Sequence, residues 1–443
     1  MSHDKRFSRS ERALIAFGIL VPTVFLSAVV WDKKLNDVPP FVAPAQFVPS
    51  PNALDTLHAA FGQRVASLGK RKKIDGGYGF EVNRMSDDFV SYEPDGKDEK
   101  AASAPLEKRK RLLAANEKAL STVREALGQR YGKFLTYDAA QLFPEYAEDR
   151  SLARLLGFAA RTHADSGELP EATASALDAV ALGVQIAGDG PLIGGLVGAA
   201  CEAIARKPLW ELTDKLDAKT ARAALARLEK LDARRRPVAR GFDTDALWTQ
   251  KILAELSGST ARLVEALGYK PDESDDWEMK KMLVRFRLTD KRAALEANRK
   301  YHEAVAVRLS QPYSHAPYPN VPGDPINQQL NPYPAETAFA DARNRAEVAL
   351  LKAALALQAY KMEKGSYPEN LDALAEGGYL KAVPGDPFGL EKPLRYKLDG
   401  AKYALWSVGP DGKDDGGKAI GGDKPRNIQA ESAGDIVARI NTY

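Results

Sequence analysis

The sequence predicts a mainly α protein in three parts: an N-terminal transmembrane helix, an α-helical bundle or solenoid-like body, and a small C-terminal α+β domain. Three observations carry that expectation. Residues 13–31 form an uncharged apolar run, residues 106–267 show helical periodicity broken by short Gly and Pro turns, and residues 336–408 pass from one long helix into an Asp-Gly hairpin. At 443 residues the chain exceeds one ordinary domain. Charged residues make up 28% but the net charge is only +3, and no basic stripe alternates with aromatics, so nucleic acid is not an expected partner. Cys201 is the only cysteine, which excludes an intrachain disulfide and a cysteine metal cluster.

Taking the chain in order, residues 1–12 read as a cytoplasmic tail and residues 13–31, ALIAFGILVPTVFLSAVVW, as the anchor. Nineteen uncharged residues suffice to cross the hydrocarbon core, and Pro22 is a kink that membrane helices tolerate. Lys5, Arg6, Arg9 and Arg12 precede the run, whereas Lys33 and Lys34 stand beside Asp32 and Asp37. The positive-inside bias places the N-terminus in the cytoplasm and the bulk outside. The run is long for a signal-peptide core and Trp31-Asp32-Lys33-Lys34 is no cleavage site, so a single-pass, uncleaved anchor in a membrane is expected. Residues 32–51 form a Pro-rich spacer, with five prolines in Asp37–Pro51, read as an extended arm lifting the next domain off the membrane.

Residues 52–310 read as one helical domain. A helix covers Asn52–Leu68, and Lys70–Lys73 is a solvated basic loop. Tyr78–Tyr92 is a polar strand candidate followed by EPDGKDE, which repeats the PDGKD of Pro410–Asp414 as a favoured turn. Leu106–Tyr131 reads as one long amphipathic helix. Ser151–His163 and Pro170–Ile186 form a hairpin around Ser166-Gly167. Leu192–Arg206 follows, stopped by Lys207-Pro208. At fourteen residues with Glu202 inside, Leu192–Ala205 is short for a membrane span; Gly194, Gly198 and Ala199 are expected to admit a neighbouring helix, with Cys201 as a small buried residue. Asp217 caps Ala218–Ala233, Thr244–Leu256 continues the pattern, and Trp277–Arg308 reads as another long helix.

Residues 311–335 hold seven prolines and no helical period, marking a domain boundary. Two readings stay open there: a linker, or a segment wrapped on the body with Tyr313, Tyr318 and Tyr333 as anchors. Residues 336–443 then form the C-terminal unit: the helix Glu336–Glu363, SYPENLDALAEGGYL, the turn VPGDPFG, and two alternating runs, Pro393–Leu398 and Lys402–Val408, joined at Asp399-Gly400. A loop with Asp411, Asp414 and Asp415 among three glycines follows directly. By itself Pro-Asp-Gly is ordinary turn chemistry, while closely spaced carboxylates on a pliable backbone suit a hard cation such as Ca²⁺.

The ordered residues Gly365, Tyr367, Pro368, Leu371, Leu374, Tyr379, Leu380, Pro384, Asp386, Pro387, Gly389, Ser407, Gly409, Asp411, Gly412 and the late pair Asp435-Ile436 resemble the globular domain of the major pseudopilins of type II secretion. That family carries Ca²⁺ in this loop, so the resemblance implies a structural Ca²⁺ site with Asp411 and Asp435 as ligands and Asp414 or Asp415 as helpers. Pseudopilins begin with a cleaved leader and a Phe-led helix bearing an early Glu, which drives fibre assembly. Residues 1–31 lack that motif, and Lys418–Ala433 reads as an insertion in the loop. The whole chain is also similar to uncharacterised bacterial membrane-anchored proteins, which implies the bacterial inner membrane and unknown envelope proteins as partners.

Elsewhere the chain carries no recognisable chemistry. His3, His58, His163, His302 and His315 make no metal-ligand spacing, and no G-x-S-x-G, Walker A or G-x-G-x-x-G sequence occurs. His302 reads as a surface histidine. Asp272, Glu273, Asp275 and Asp276 read as helix-capping acids rather than a catalytic pair. The expected function is a non-enzymatic extracytoplasmic scaffold or interaction protein. The alternatives are an accessory component of a type II secretion or pilus-like envelope machine, and an envelope hydrolase without a recognisable motif.

Overall fold

The computed structural model describes residues 38–65, 105–138, 141–188, 190–256, 281, 284–286, 288–331, 334–421 and 428–442. The expected anchor at 13–31, the basic loop at 70–73, the strand candidate at 78–92 and the acidic run at 272–276 lie outside them. Among the described residues no helix is long and apolar enough to cross a membrane.

The body is built from α1 (Ala53–Gln63), α2 (Leu106–Ala115), α3 (Glu117–Leu127), α4 (Glu145–Asp165), α5 (Leu169–Ile186), α6 (Leu192–Thr213), α7 (Ala218–Asp232), α8 (Ala239–Leu256), α9 (Lys291–Leu309) and α10 (Pro325–Leu330). The C-terminal unit adds α11 (Pro334–Lys364), α12 (Asp372–Glu376) and the strands β1 (Arg395–Asp399), β2 (Lys402–Ser407) and β3 (Ile436–Val437). The strands form one antiparallel sheet in the order β1-β2-β3.

Helices α4, α5 and α6 pack on one another as the centre of the body. The α4–α5 turn uses Gly167 at φ 79°, a left-handed position that glycine adopts at no steric cost. Where α5 crosses α6, Gly183 and Gly198 face each other so closely that a Cβ on either would lie 2.5 Å from the other's carbonyl oxygen. Gly198 thus admits the neighbouring helix as expected. Gly194 likewise makes room for a neighbouring helix, the Tyr146 hydroxyl of α4 standing 2.7 Å from where a Cβ would be.

One hydrophobic core runs from this centre into the C-terminal unit. It joins Leu152, Leu182 and Leu209 to Leu350, Leu355, Leu374, Leu405 and Ile436. The link is α11, which packs on α6 and α7 of the body and on β2 of the sheet. Residues 353–359 are all buried, so the middle of this helix has no solvent face. Charged pairs hold it in place. Arg206 Nε lies 2.7 Å from Glu347 Oε2 as an ion pair and Lys352 Nζ donates to Asp232 Oδ2 at 2.8 Å, while within α11 Arg343 Nε donates to Glu347 Oε1 at 2.9 Å. Arg235 then makes a two-pronged contact with Glu202 at 2.6 Å and another with Asp232 at 3.2 Å.

Four expectations are corrected by packing. Leu106–Tyr131 is two helices broken at Asn116, whose buried amide bonds Val65 N at 2.9 Å and Val65 O at 2.8 Å. The helix from Leu192 runs through Pro208 to Thr213. An interior proline costs about 3 kcal/mol, but Leu209, Trp210 and Leu212 beyond it are buried, each offsetting roughly 1.5–3 kcal/mol. The span Trp277–Arg308 breaks at Asp290, which caps α9 by accepting from Ala293 N at 3.0 Å. His302 is 4% exposed, not a surface residue; its Nε2 meets Asn331 Oδ1 at 2.7 Å, and burial lowers its pKa. The Pro-rich stretches are also packed. Tyr313 lies edge-on to Phe388 and near Phe339, and Tyr318 sits under Arg308. Tyr333 is outside the described residues.

Gly198→Ala should lower the unfolding free energy by about 1–3 kcal/mol, because backbone atoms block the new methyl. The check is the urea midpoint. Gly195→Ala meets nothing within 4 Å and should be neutral or stabilising by up to about 1 kcal/mol.

Candidate functional site

The acidic loop hangs from the end of β2, and the residues that fix it come from three places. The VPGDPFG turn supplies Asp386, fully buried, whose carboxylate accepts from Ser407 Oγ at 2.7 Å, Val408 N at 2.8 Å and Phe388 N at 3.1 Å. Burial raises its pKa, and these donors work against that shift. Asp386 therefore clasps the turn to the strand from which the loop departs. Gly409 opens the loop at φ 72°; a Cβ there would lie 2.1 Å from the Gly434 carbonyl oxygen, so only glycine fits. Residues 418–420 close the loop against Asp435, with Asp435 N donating to Lys418 O at 2.8 Å and Ile420 N to Asp435 O at 3.1 Å.

The four expected ligands take different places. Asp435 is fully buried, and its carboxylate accepts from Gly417 N at 2.7 Å and Asp415 N at 3.3 Å. Burial, with the Asp414 and Asp415 charges adding to it, pushes its pKa up to about 6. Asp414 accepts from Arg395 Nε at 2.9 Å, Trp406 Nε1 at 2.9 Å and Gly416 N at 3.1 Å. Those donors pull its pKa below the usual carboxylate value despite partial burial. Asp411 accepts from Lys413 N at 3.1 Å, an Asx turn, and Asp415 is exposed. The structure thus gathers Asp414, Asp415 and Asp435 into one electrostatic neighbourhood.

Sequence reading missed Arg395 and Trp406. They are directly paired across β1 and β2, and both bond Asp414, so the strand register is the signal that finds them. His315, from the Pro-rich segment, also reaches the loop, its Nε2 2.7 Å from the Pro410 carbonyl oxygen. The donors fit a hard cation in kind, being carboxylates on a glycine-rich backbone whose carbonyls can also ligate. They are not gathered into a cage: among the described residues no three His, Cys, Asp or Glu side chains group as metal ligands.

A separate small cleft of about 70 Å³ is lined by parts of α6, the α7–α8 turn and α11, including Leu192, Leu196, Val238, Glu202, Arg235 and Asp341. Glu202 gives both carboxylate oxygens to Arg235, so it is a held charge rather than a free general base. Asp341 has a pKa raised by burial.

Residues 335–423 match the family model of the type II secretion system protein G. The match takes in α11, the hairpin, Asp411, Asp414 and Asp415, and ends before Asp435. The C-terminal region is therefore pseudopilin-like. No curated protein and no solved structure matches the chain.

Asp435 generates a pH prediction. Its folded pKa of about 6 lies above the ordinary aspartate value of 3.8, so the folded state holds the proton more tightly. Its contribution to stability is fully present below about pH 3.8 and is lost as the pH rises through about 6. Asp435→Asn should escape that loss: in EDTA, the melting temperature of the variant relative to the parent should rise from pH 4 to pH 7 in calorimetric scans.

Proposed function

We propose that this protein is a membrane-anchored, non-enzymatic scaffold that serves a type II secretion or pilus-like machine of the bacterial envelope, with the pseudopilin-like region as its interaction module. The observation that carries this reading is the family match on a domain whose opening helix is built into the body. In the pseudopilins that the sequence resembles, an N-terminal helix drives fibre assembly. Here α11 is covered by α6, α7 and β2 of its own chain along its middle, so it offers a fibre no free face there. That burial supports a fixed attachment point rather than a polymerising subunit. Residues 13–31 are the proposed anchor, with the N-terminus cytoplasmic and the bulk extracytoplasmic. Affinity purification from detergent-solubilised membranes should recover secretion or pilus-like components; recovery of none overturns the reading.

The acidic loop is proposed to take a structural Ca²⁺, with Asp411, Asp415 and Asp435 as its carboxylates and Asp414 remaining with Arg395. Such an ion would supply positive charge where burial and two neighbouring carboxylates destabilise ionised Asp435. Ligand bound only by the folded state must stabilise it. The full chain should melt at a higher temperature in Ca²⁺ than in EDTA, and Asp411→Ala should abolish the difference. Identical melting temperatures in the parent overturn the ion.

A further inference from the structure

Residues 38–51, read from the sequence as a lifting arm, are docked on the body. The Gln46 side chain pairs with the main chain of Leu135, its Nε2 donating to Leu135 O at 2.8 Å and its Oε1 accepting from Leu135 N at 2.7 Å. Phe41 packs edge-on to Tyr137, which meets Trp248 in the same way. Arg130 lies over the Phe47 ring at 5.1 Å, and Pro49 presses on Gly132. Gln141 ties the adjoining turn to the same segment, accepting from Thr136 N at 3.0 Å and donating to Phe134 O at 3.4 Å.

These mutually bonded segments leave four large apolar side chains in solvent: Val42 is 82% exposed, Phe47 69%, Phe134 63% and Leu142 82%. Single exposed apolar residues need no explanation, but four of them carried by two segments bonded to each other make a strip of the kind that is covered in use. Chain length says what covers it. Only residues 32–37 lie between Trp31, the end of the apolar run, and this strip. Trp31 to Val38 spans at most about 25 Å of fully extended chain.

We propose that this strip is a membrane-docking surface, with Val42, Phe47, Phe134 and Leu142 seated at the headgroup–acyl boundary of the bilayer that holds residues 13–31. The inference rests on the anchor reading above. Apolar and aromatic side chains gain by entering that boundary, and the short tether removes most of the entropic cost of bringing them to it. The body is then held against the membrane with one face down rather than raised on a stalk.

The test uses the full chain in phosphatidylethanolamine–phosphatidylglycerol vesicles, with spin labels at Val42→Cys, Phe134→Cys and, for comparison, exposed Met362→Cys; native Cys201 is buried and stays unlabelled. Labels at 42 and 134 should be several-fold less accessible to an aqueous nickel chelate than the label at 362, and more accessible to oxygen. Equal accessibility at all three positions, in protein that resists carbonate extraction, overturns the docking surface and leaves the anchor standing. Shielding of 42 and 134 from both reagents shows a protein cover and also overturns it. Release of the protein by carbonate overturns the anchor and the docking surface together.

Discussion

The structure depends on the burial of α11. This helix is lined by Ala, Leu and Val through most of its central turns, and an apolar helix of that kind has little to fix its rotation or its slide. The charged pairs supply what the apolar contacts lack. A shift of one residue would leave Glu347 without Arg206, and Lys352 without Asp232. Breaking a buried pair costs about 3–5 kcal/mol, whereas the pair itself adds little net stability over apolar contacts. The arrangement selects one register rather than adding strength. Glu202, buried and doubly bonded to Arg235, extends the same logic into α6.

From that constraint the rest of the C-terminal unit takes its place. β2 packs on α11, Asp386 clasps the preceding turn to the end of β2, and the acidic loop leaves from that clasp. Tyr313 and His315 bring the Pro-rich segment down onto Phe388 and Pro410. A region that matches a secretion-system family is thus held in one orientation on a helical body. With residues 38–51 also docked, a surface that starts at the proposed membrane face continues through one packed core to the pseudopilin-like domain.

Much of this was legible along the chain where the determining interactions are local. The α4–α5 hairpin follows from helical periodicity and Gly167, and the β1–β2 pair from alternation around an Asp-Gly turn. The turn itself is Gly400-Ala401, with Asp399 still paired to Lys402. The misses share a cause. Asn116 breaks its helix because of Val65, fifty-one residues away. Pro208 is tolerated because residues beyond it are buried. His302 looks like a surface residue in KYHEAV, but Asn331 and Phe242 cover it from other elements.

For the acidic loop, the sequence alone determined the residue types: carboxylates, glycines free to adopt positive φ, and the motif order that resembles the pseudopilins. Only the tertiary structure decided what each carboxylate does. Strand register set Arg395 beside Trp406, and so committed Asp414 to them. The bridge between Lys418–Ile420 and Asp435 set Asp435 against Asp415 and Gly417. Charge and hydrogen bonding act over a few ångströms of space, and across the residues between Asp415 and Asp435 the sequence does not carry distance.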